Sequence, residues 1–143
     1  LYSLMDTYPD ALVIVATGAR SAEYAEVNSP RVILREFLPQ TALLPYIDLV
    51  IHHGGNNTFT ETLYHAKPMV IFPFSSDQFA IACDAERYNL GQVLDPNNFL
   101  PVDLAGKIES LLSGEFNSPL KTWSEFSQSR GATYLAESIL SLH

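Results

Sequence analysis

"IDLVIHHGGNNTFTETLYHAKPMVIFPFSSDQ", residues 47–78, holds two short apolar runs rich in valine and isoleucine, separated by a segment with helical spacing. "IDLVIH" and "PMVIFPF" read as strands. "NTFTETLYHA" reads as a helix with Phe59, Leu63 and Tyr64 or Ala66 on one face, ended by Pro68. Strand, helix and strand in that order predict a parallel βαβ unit. The polar residues His52 to Thr58 then lie at the exit of one strand and Ser75 to Gln78 at the exit of the next. Ligands of parallel sheets bind beyond the carboxyl ends of the strands, so the two groups are expected to be neighbours.

The rest of the chain extends the same alternation. "ALVIVATG", closed by Gly18, has the continuous apolar pattern of a strand buried on both faces, "RVILREF" reads as another strand, and "GQVLDP" as a short fifth. "PQTALLPY" is a brief helix. "SDQFAIACDAERYNL" is a longer one that stops at Gly91, whose missing Cβ suits a left-handed cap. "VDLAGKIESLLSG" and "SPLKTWSEFSQSRGATYLAESILSLH" predict two or three further amphipathic helices, with Gly114 and Gly131 as breaks. The fold class expected is α/β, an open parallel sheet with helices on both faces. "LYSLMDTYPDA" opens on leucine with Leu1, Leu4 and Met5 at helical spacing, as though the chain entered partway through an amphipathic helix, so it reads as a fragment.

With 143 residues, 47% hydrophobic and 17% charged, the composition is that of one compact domain over residues 1–143. No apolar run approaches the roughly 18–20 residues of a membrane span, and the N-terminus lacks the basic-then-apolar order of a signal peptide. A cytoplasmic location is expected. Cys83 is the only cysteine, which excludes a disulfide or a thiolate zinc site within one chain and suggests a buried thiol. The net charge of −8 opposes binding to nucleic acid or anionic membranes. An anionic ligand must therefore be held locally, by backbone N–H groups and a helix dipole.

Gly54-Gly55-Asn56-Asn57-Thr58 suits that task. Two glycines let the backbone turn sharply and approach a ligand, and a helix beginning near Asn57 offers unpaired N–H donors. Alternatively the glycines only make a turn and Asn57 or Thr58 caps the helix. His52 and His53, adjacent at a strand end, point to opposite sides, and His65 lies far along the helix, so no metal site is expected; His53 suits a phosphate contact and His52 a packed position. Glu61, four residues after Asn57, shares its helical face and suits either ribose hydroxyls or plain solvation. Asp77 and Gln78 can grip adjacent hydroxyls of a sugar or cap the following helix.

Taken together, "FLPQTALLPYIDLVIHHGGNNTFTETLYHAKPMVIFPFSSDQ", residues 37–78, resembles the donor-binding motif of UDP-dependent glycosyltransferases of the GT-B fold, especially bacterial macrolide and antibiotic transferases. Pro39-Gln40, Leu44, His53, Gly55, Asn57, Thr58, Glu61, Pro68, Pro73 and Asp77-Gln78 carry the likeness. "RGATYLAESILSL" is similar to the closing helix of the same domain. The resemblance implies a Rossmann-like C-terminal half whose Phe37 stacks on the base and whose Leu38 meets the base edge through its backbone. Gln40 and Glu61 would bind the ribose, His53, Gly54, Gly55, Asn57 and Thr58 the diphosphate, and Asp77 and Gln78 the hexose.

The implied activity is inverting, metal-independent transfer of a hexose from a UDP- or dTDP-sugar to an acceptor hydroxyl, with no cofactor and no metal. No catalytic residue is implied in this chain. The general base and acceptor pocket would lie on an N-terminal domain in the same or a separate polypeptide, so this chain alone would not transfer sugar. A strand and a Gly-Ser loop that open the family domain are missing. Ala66 replaces the usual glycine, a mild change if the backbone there is helical. Tyr46 and Asn56 stand where plant members carry histidine and tryptophan, which argues against plant-type acceptors. Two other readings remain open at this point: a UDP-N-acetylglucosamine 2-epimerase-like enzyme, which shares the Gly-Gly loop but seldom the Asp-Gln pair, and a separate donor-binding subunit that needs a partner chain.

Overall fold

The computed structural model describes residues 2–24, 27, 29–131, 134, 137 and 141. They form two compact units, Leu1–Leu43 and Leu44–His143. In the first, helix α1 (Tyr2–Thr7) precedes strand β1 (Val13–Ala16), which pairs in parallel with β2 (Val32–Arg35) in the register Val13 to Val32. Arg31 Nη1 donates to the carbonyls of Met5 (3.1 Å) and Tyr8 (3.2 Å), closing the C-terminal end of α1. A 3₁₀ segment, Gly18–Tyr24, follows β1 where the sequence suggested no element. The strand itself is only half-buried, not enclosed on both faces as expected, and among the described residues it belongs to a two-stranded sheet. Helix α2 (Gln40–Leu43) ends this unit.

The second unit contains the parallel sheet β3 (Val50–His52), β4 (Met69–Ile71) and β5 (Gly91–Val93), in that spatial order. Helices α3 (Asn56–Tyr64) and α4 (Ser76–Arg87) connect the strands, and α5 (Pro101–Leu112) and α6 (Asn117–Ser129) follow. The α/β class with parallel strands is as expected. Among the described residues β4, the middle strand, is the one that is wholly buried, and its alternating side chains serve both layers. Met69 and Ile71 pack on Ala82 and Ala85 of α4 with Phe59 of α3. On the other face Gln92, level with Val70, donates from Nε2 to Ser110 Oγ of α5 (2.9 Å). Helices therefore cover both faces. The sequence expected Cys83 to be buried, but it is exposed: α4 turns its small residues Ala82 and Ala85 to the sheet, and Cys83 lies off that face.

Both α3 and α4 end in a Schellman turn. After α4, Asn89 takes the left-handed conformation (φ 54°), with Asn89 N bonded to Glu86 O (3.1 Å) and Leu90 N to Ala85 O (2.8 Å). Gly91, which the sequence suggested as this cap, instead opens β5. It is needed there for room, since a Cβ would lie 2.5 Å from Met69 Cγ and 2.7 Å from Met69 O. After α3 the left-handed residue is Ala66 (φ 52°), with Ala66 N bonded to Leu63 O (2.9 Å) and Lys67 N to Thr62 O (3.1 Å). The replacement of glycine at Ala66 therefore does not meet the condition of a helical backbone, since Ala66 is left-handed, and it carries local strain. Ala66 nevertheless packs on Leu63, Leu90 and Leu120, and α6 reaches the same helix end: Ser124 Oγ and Gln128 Nε2 both donate to Tyr64 O.

Opposing effects meet at Ala66. Glycine would relieve about 1–2 kcal/mol of left-handed strain. It would also lose a methyl contact and add about 0.4–1 kcal/mol of unfolded-chain entropy. Ala66→Gly is thus expected to leave stability within about 0.5 kcal/mol of the parent, whereas Ala66→Val, β-branched at a positive φ, should lower it by roughly 1–3 kcal/mol in urea unfolding. Gly91→Ala should cost about 1–3 kcal/mol by overpacking Met69, read as a lower unfolding midpoint with unchanged slope.

Candidate functional site

The chain leaves β3 at His52 and reaches α3 through His53, Gly54 and Gly55. Gly54 is buried with φ 87°, and a Cβ on it would lie 3.1 Å from Ile71 Cγ2 and 3.2 Å from Gln78 O. Only glycine fits, and the same closeness brings the loop after β3 against the first turn of α4. The two polar strand exits are neighbours, as the βαβ reading required. Gly55 is the N-cap of α3, extended at φ −63° and ψ 135°, and the His53 ring lies over it, 2.7 Å from where a Cβ would stand. Asn57 and Thr58 are consequently not the cap; they are the second and third helical residues.

Gly55 offers no side chain to cap α3, and a helical bond runs from Phe59 N to Gly55 O (3.0 Å). The first-turn amides point out of the helix end, where the macrodipole is positive. They do so at an open depression of about 350 Å³ lined by His53, Gly55, Asn56, Asn57 and Thr58. Glu61 follows Asn57 by one turn and is half-buried. Among the described residues no three His, Cys, Asp or Glu side chains converge as metal ligands would.

The two histidines diverge. His53 is exposed, while His52 turns inward, its Nδ1 accepting from Gly54 N (3.1 Å) and its Nε2 lying 3.5 Å from Met69 Sδ. An Nδ1 that accepts carries no proton, which assigns the neutral Nε2–H tautomer. Burial, and secondly the neighbouring His53, lower the His52 pKa from 6.5 to about 4. The sequence suggested a packed His52 but not its bond to the loop. The signal was the i, i+2 spacing of His52 and Gly54, the spacing over which an Asx side chain bonds its own backbone.

At the second exit, Gln78 Oε1 accepts from Phe74 N (2.8 Å) and Ser75 N (3.3 Å), so the capping alternative describes this oxygen. Asp77 is exposed and its Oδ1 accepts from Ser75 Oγ (2.7 Å). That bond, followed by the backbone amide of Asp77, holds the carboxyl below its ordinary value. Asp77 Oδ2 and Gln78 Nε2 lie outside these bonds. Phe37, Leu38 and Gln40 belong to the first unit: Phe37 is 83% exposed after β2, Leu38 is half-buried, and Gln40 opens α2, also half-buried.

Residues 4–137 match the glycosyltransferase family 28 C-terminal domain. The chain belongs to that family. It is 32% identical over 107 residues, 75% of its length, to the demethyllactenocin mycarosyltransferase of Streptomyces fradiae. It is 32% identical over 87 residues, 59% of its length, to YojK of Bacillus subtilis (strain 168), which is described as an uncharacterized UDP-glucosyltransferase. It spans only 23% and 21% of those relatives. The fold is similar to that of the glycosyltransferase of kitacinnamycin, with a TM-score of 0.85 at 23% identity over 97% of this chain and 37% of that one. The GT-B resemblance and the fold class read from the sequence are borne out.

This family 28 domain thus keeps a neutral imidazole beneath its glycine loop, with a consequence for pH. Above pH 6.5 His52 is uncharged whether the chain is folded or unfolded. As pH falls from 6.5 towards 4 the unfolded chain takes up a proton that the folded chain refuses, so stability declines. The full difference is about 3 kcal/mol. Urea unfolding of the parent and of His52→Asn at pH 7 and pH 4.5 checks this: the stability difference between them should narrow or reverse at the lower pH.

Proposed function

We propose that this chain binds the nucleotide-sugar donor, a UDP- or dTDP-hexose, of an inverting glycosyltransferase that needs no metal and no cofactor beyond the donor. One observation carries the reading. The N-terminus of α3, whose N-cap Gly55 has no side chain, opens on a depression lined by His53, Gly55, Asn56, Asn57 and Thr58, in a chain whose net charge of −8 would otherwise repel a diphosphate. Backbone donors and a dipole fixed in advance are the means by which such a chain can hold an anion.

In the proposed reaction an acceptor hydroxyl, deprotonated by a general base, attacks the anomeric carbon from the face opposite the diphosphate. The new glycosidic C–O bond forms as the bond to the β-phosphate oxygen breaks, and the electron pair leaves with the diphosphate. His53, Gly54, Gly55, Asn57 and Thr58 stabilise that growing charge, because donors aimed at a leaving group in advance need no reorganisation when it departs. Asp77 and Gln78 hold the hexose hydroxyls through Asp77 Oδ2 and Gln78 Nε2, the atoms outside the turn that their other polar atoms close. Glu61 and Gln40 take the ribose and Phe37 and Leu38 the base; these four rest on the family resemblance. The acceptor pocket and base belong to a further domain, in the same or a separate chain. The reading includes one donor-binding domain over residues 1–143 and a cytoplasmic location. Among the described residues no helix is long and apolar enough to cross a membrane.

Calorimetric titration tests the reading. The 143-residue chain should bind UDP or thymidine diphosphate, and Glu61→Ala should weaken UDP about tenfold while changing inorganic pyrophosphate less than about twofold. Binding of neither nucleotide, or equal losses for UDP and pyrophosphate, contradicts the assignment.

A further inference from the structure

We infer that His52 is a positioning residue for the diphosphate site: its unprotonated Nδ1 accepts the Gly54 N–H and so fixes the peptide from which the loop and the first turn of α3 are aimed. The inference rests on the proposed donor-binding reading and names the group that holds that site in shape.

Gly54 is buried and left-handed, in contact with Ile71 and Gln78. Its N–H cannot turn to water where it stands, and a buried donor without an acceptor is costly. His52 Nδ1 supplies the acceptor at 3.1 Å. The other ring nitrogen lies 3.5 Å from Met69 Sδ, and Met69 is fully buried in the middle strand. One imidazole therefore spans from the most enclosed strand of the sheet to the most constrained peptide of the loop. Two residues beyond that peptide the helix begins, and the depression is lined by the residues on either side of it. If the Gly54 peptide swings, Gly55, the N-cap of α3 to which it is joined, must move as well. His52 itself does not line the depression, so it acts through Gly54 and not on the ligand.

The required chemistry is narrow: an acceptor two residues before the donor, on a side chain that carries no proton at that atom. Asparagine can provide it, because an Asx side chain accepts from the N–H two residues on. Leucine is close to asparagine in size but accepts nothing. The pair separates the loss of an acceptor from the loss of packing.

The test has two parts, both on the 143-residue chain. Nitrogen-15 NMR of the parent at pH 7 should show His52 as the neutral Nε2–H tautomer, with coupling across the bond between Gly54 N and Nδ1. Titration with UDP and with pyrophosphate should show His52→Leu weakened about tenfold for both ligands, and His52→Asn within about threefold of the parent. Thermal unfolding and the amide spectrum of each variant establish that it is folded. Should His52→Leu not fold, the tautomer and the His52→Asn titration decide. A proton on Nδ1, parent-like affinity in a folded His52→Leu, or a loss in His52→Asn as large as in His52→Leu overturns the inference while the site reading stands. If the parent binds neither UDP nor pyrophosphate, the site reading fails and the inference fails with it, whatever the tautomer.

Discussion

The absence of a side chain at Gly54 is the constraint on which the site depends. With only a hydrogen on its α-carbon, this residue lies against Ile71 of the central strand and the backbone of Gln78 at the start of α4. No other residue tolerates both the positive φ and the crowding. Because the chain can pass so close, two loops from adjacent parallel strands end side by side, and α3 starts at once without a capping side chain. The positive end of the α3 dipole is thereby presented beside the second strand exit.

Electrostatics in this chain work at short range. The overall charge is −8, and among the described residues Lys121 and Glu125 form an ion pair on the surface of α6, too exposed to contribute much. What sets the character of the strand exits is the arrangement of neutral dipoles: the first-turn amides of α3, the backbone N–H groups that hold Gln78, and the hydroxyl of Ser75 that donates to Asp77. One exit is rich in donors and the next carries a carboxylate. On the proposed reading this polarity orients a donor along the sheet edge, phosphate at α3 and hydroxyls at α4.

Much of this was legible in the residue pattern. The five strands among the described residues lie within the apolar runs that suggested them, and α3, α4 and α5 lie where helical spacing placed them, because period and punctuation are local properties. The adjacency of the glycine loop and Asp77-Gln78 followed from the βαβ order alone. What escaped was decided by space. Gly91 looked like a helix cap and is a strand residue with no room beside Met69; Asn89 takes the left-handed turn, as asparagine can. Ala66 looked harmless until its φ was known. Cys83 looked like core, but α4 meets the sheet through alanines. His52 and Gln78 both bond the backbone that shapes the site, which no residue count can reveal. The expected closing helix "RGATYLAESILSL" lies largely outside the described residues.

The carbonyl of Tyr64 is the far anchor of α3. Ser124 and Gln128 both grip it from α6, across 60 and 64 positions of sequence. A recombinant fragment trimmed to the recognisable motif, ending near residue 78, would retain every polar group of the glycine loop and lose the clamp on the opposite end of its helix. A fragment meant to keep α3 in place therefore has to extend through α6, well beyond the motif.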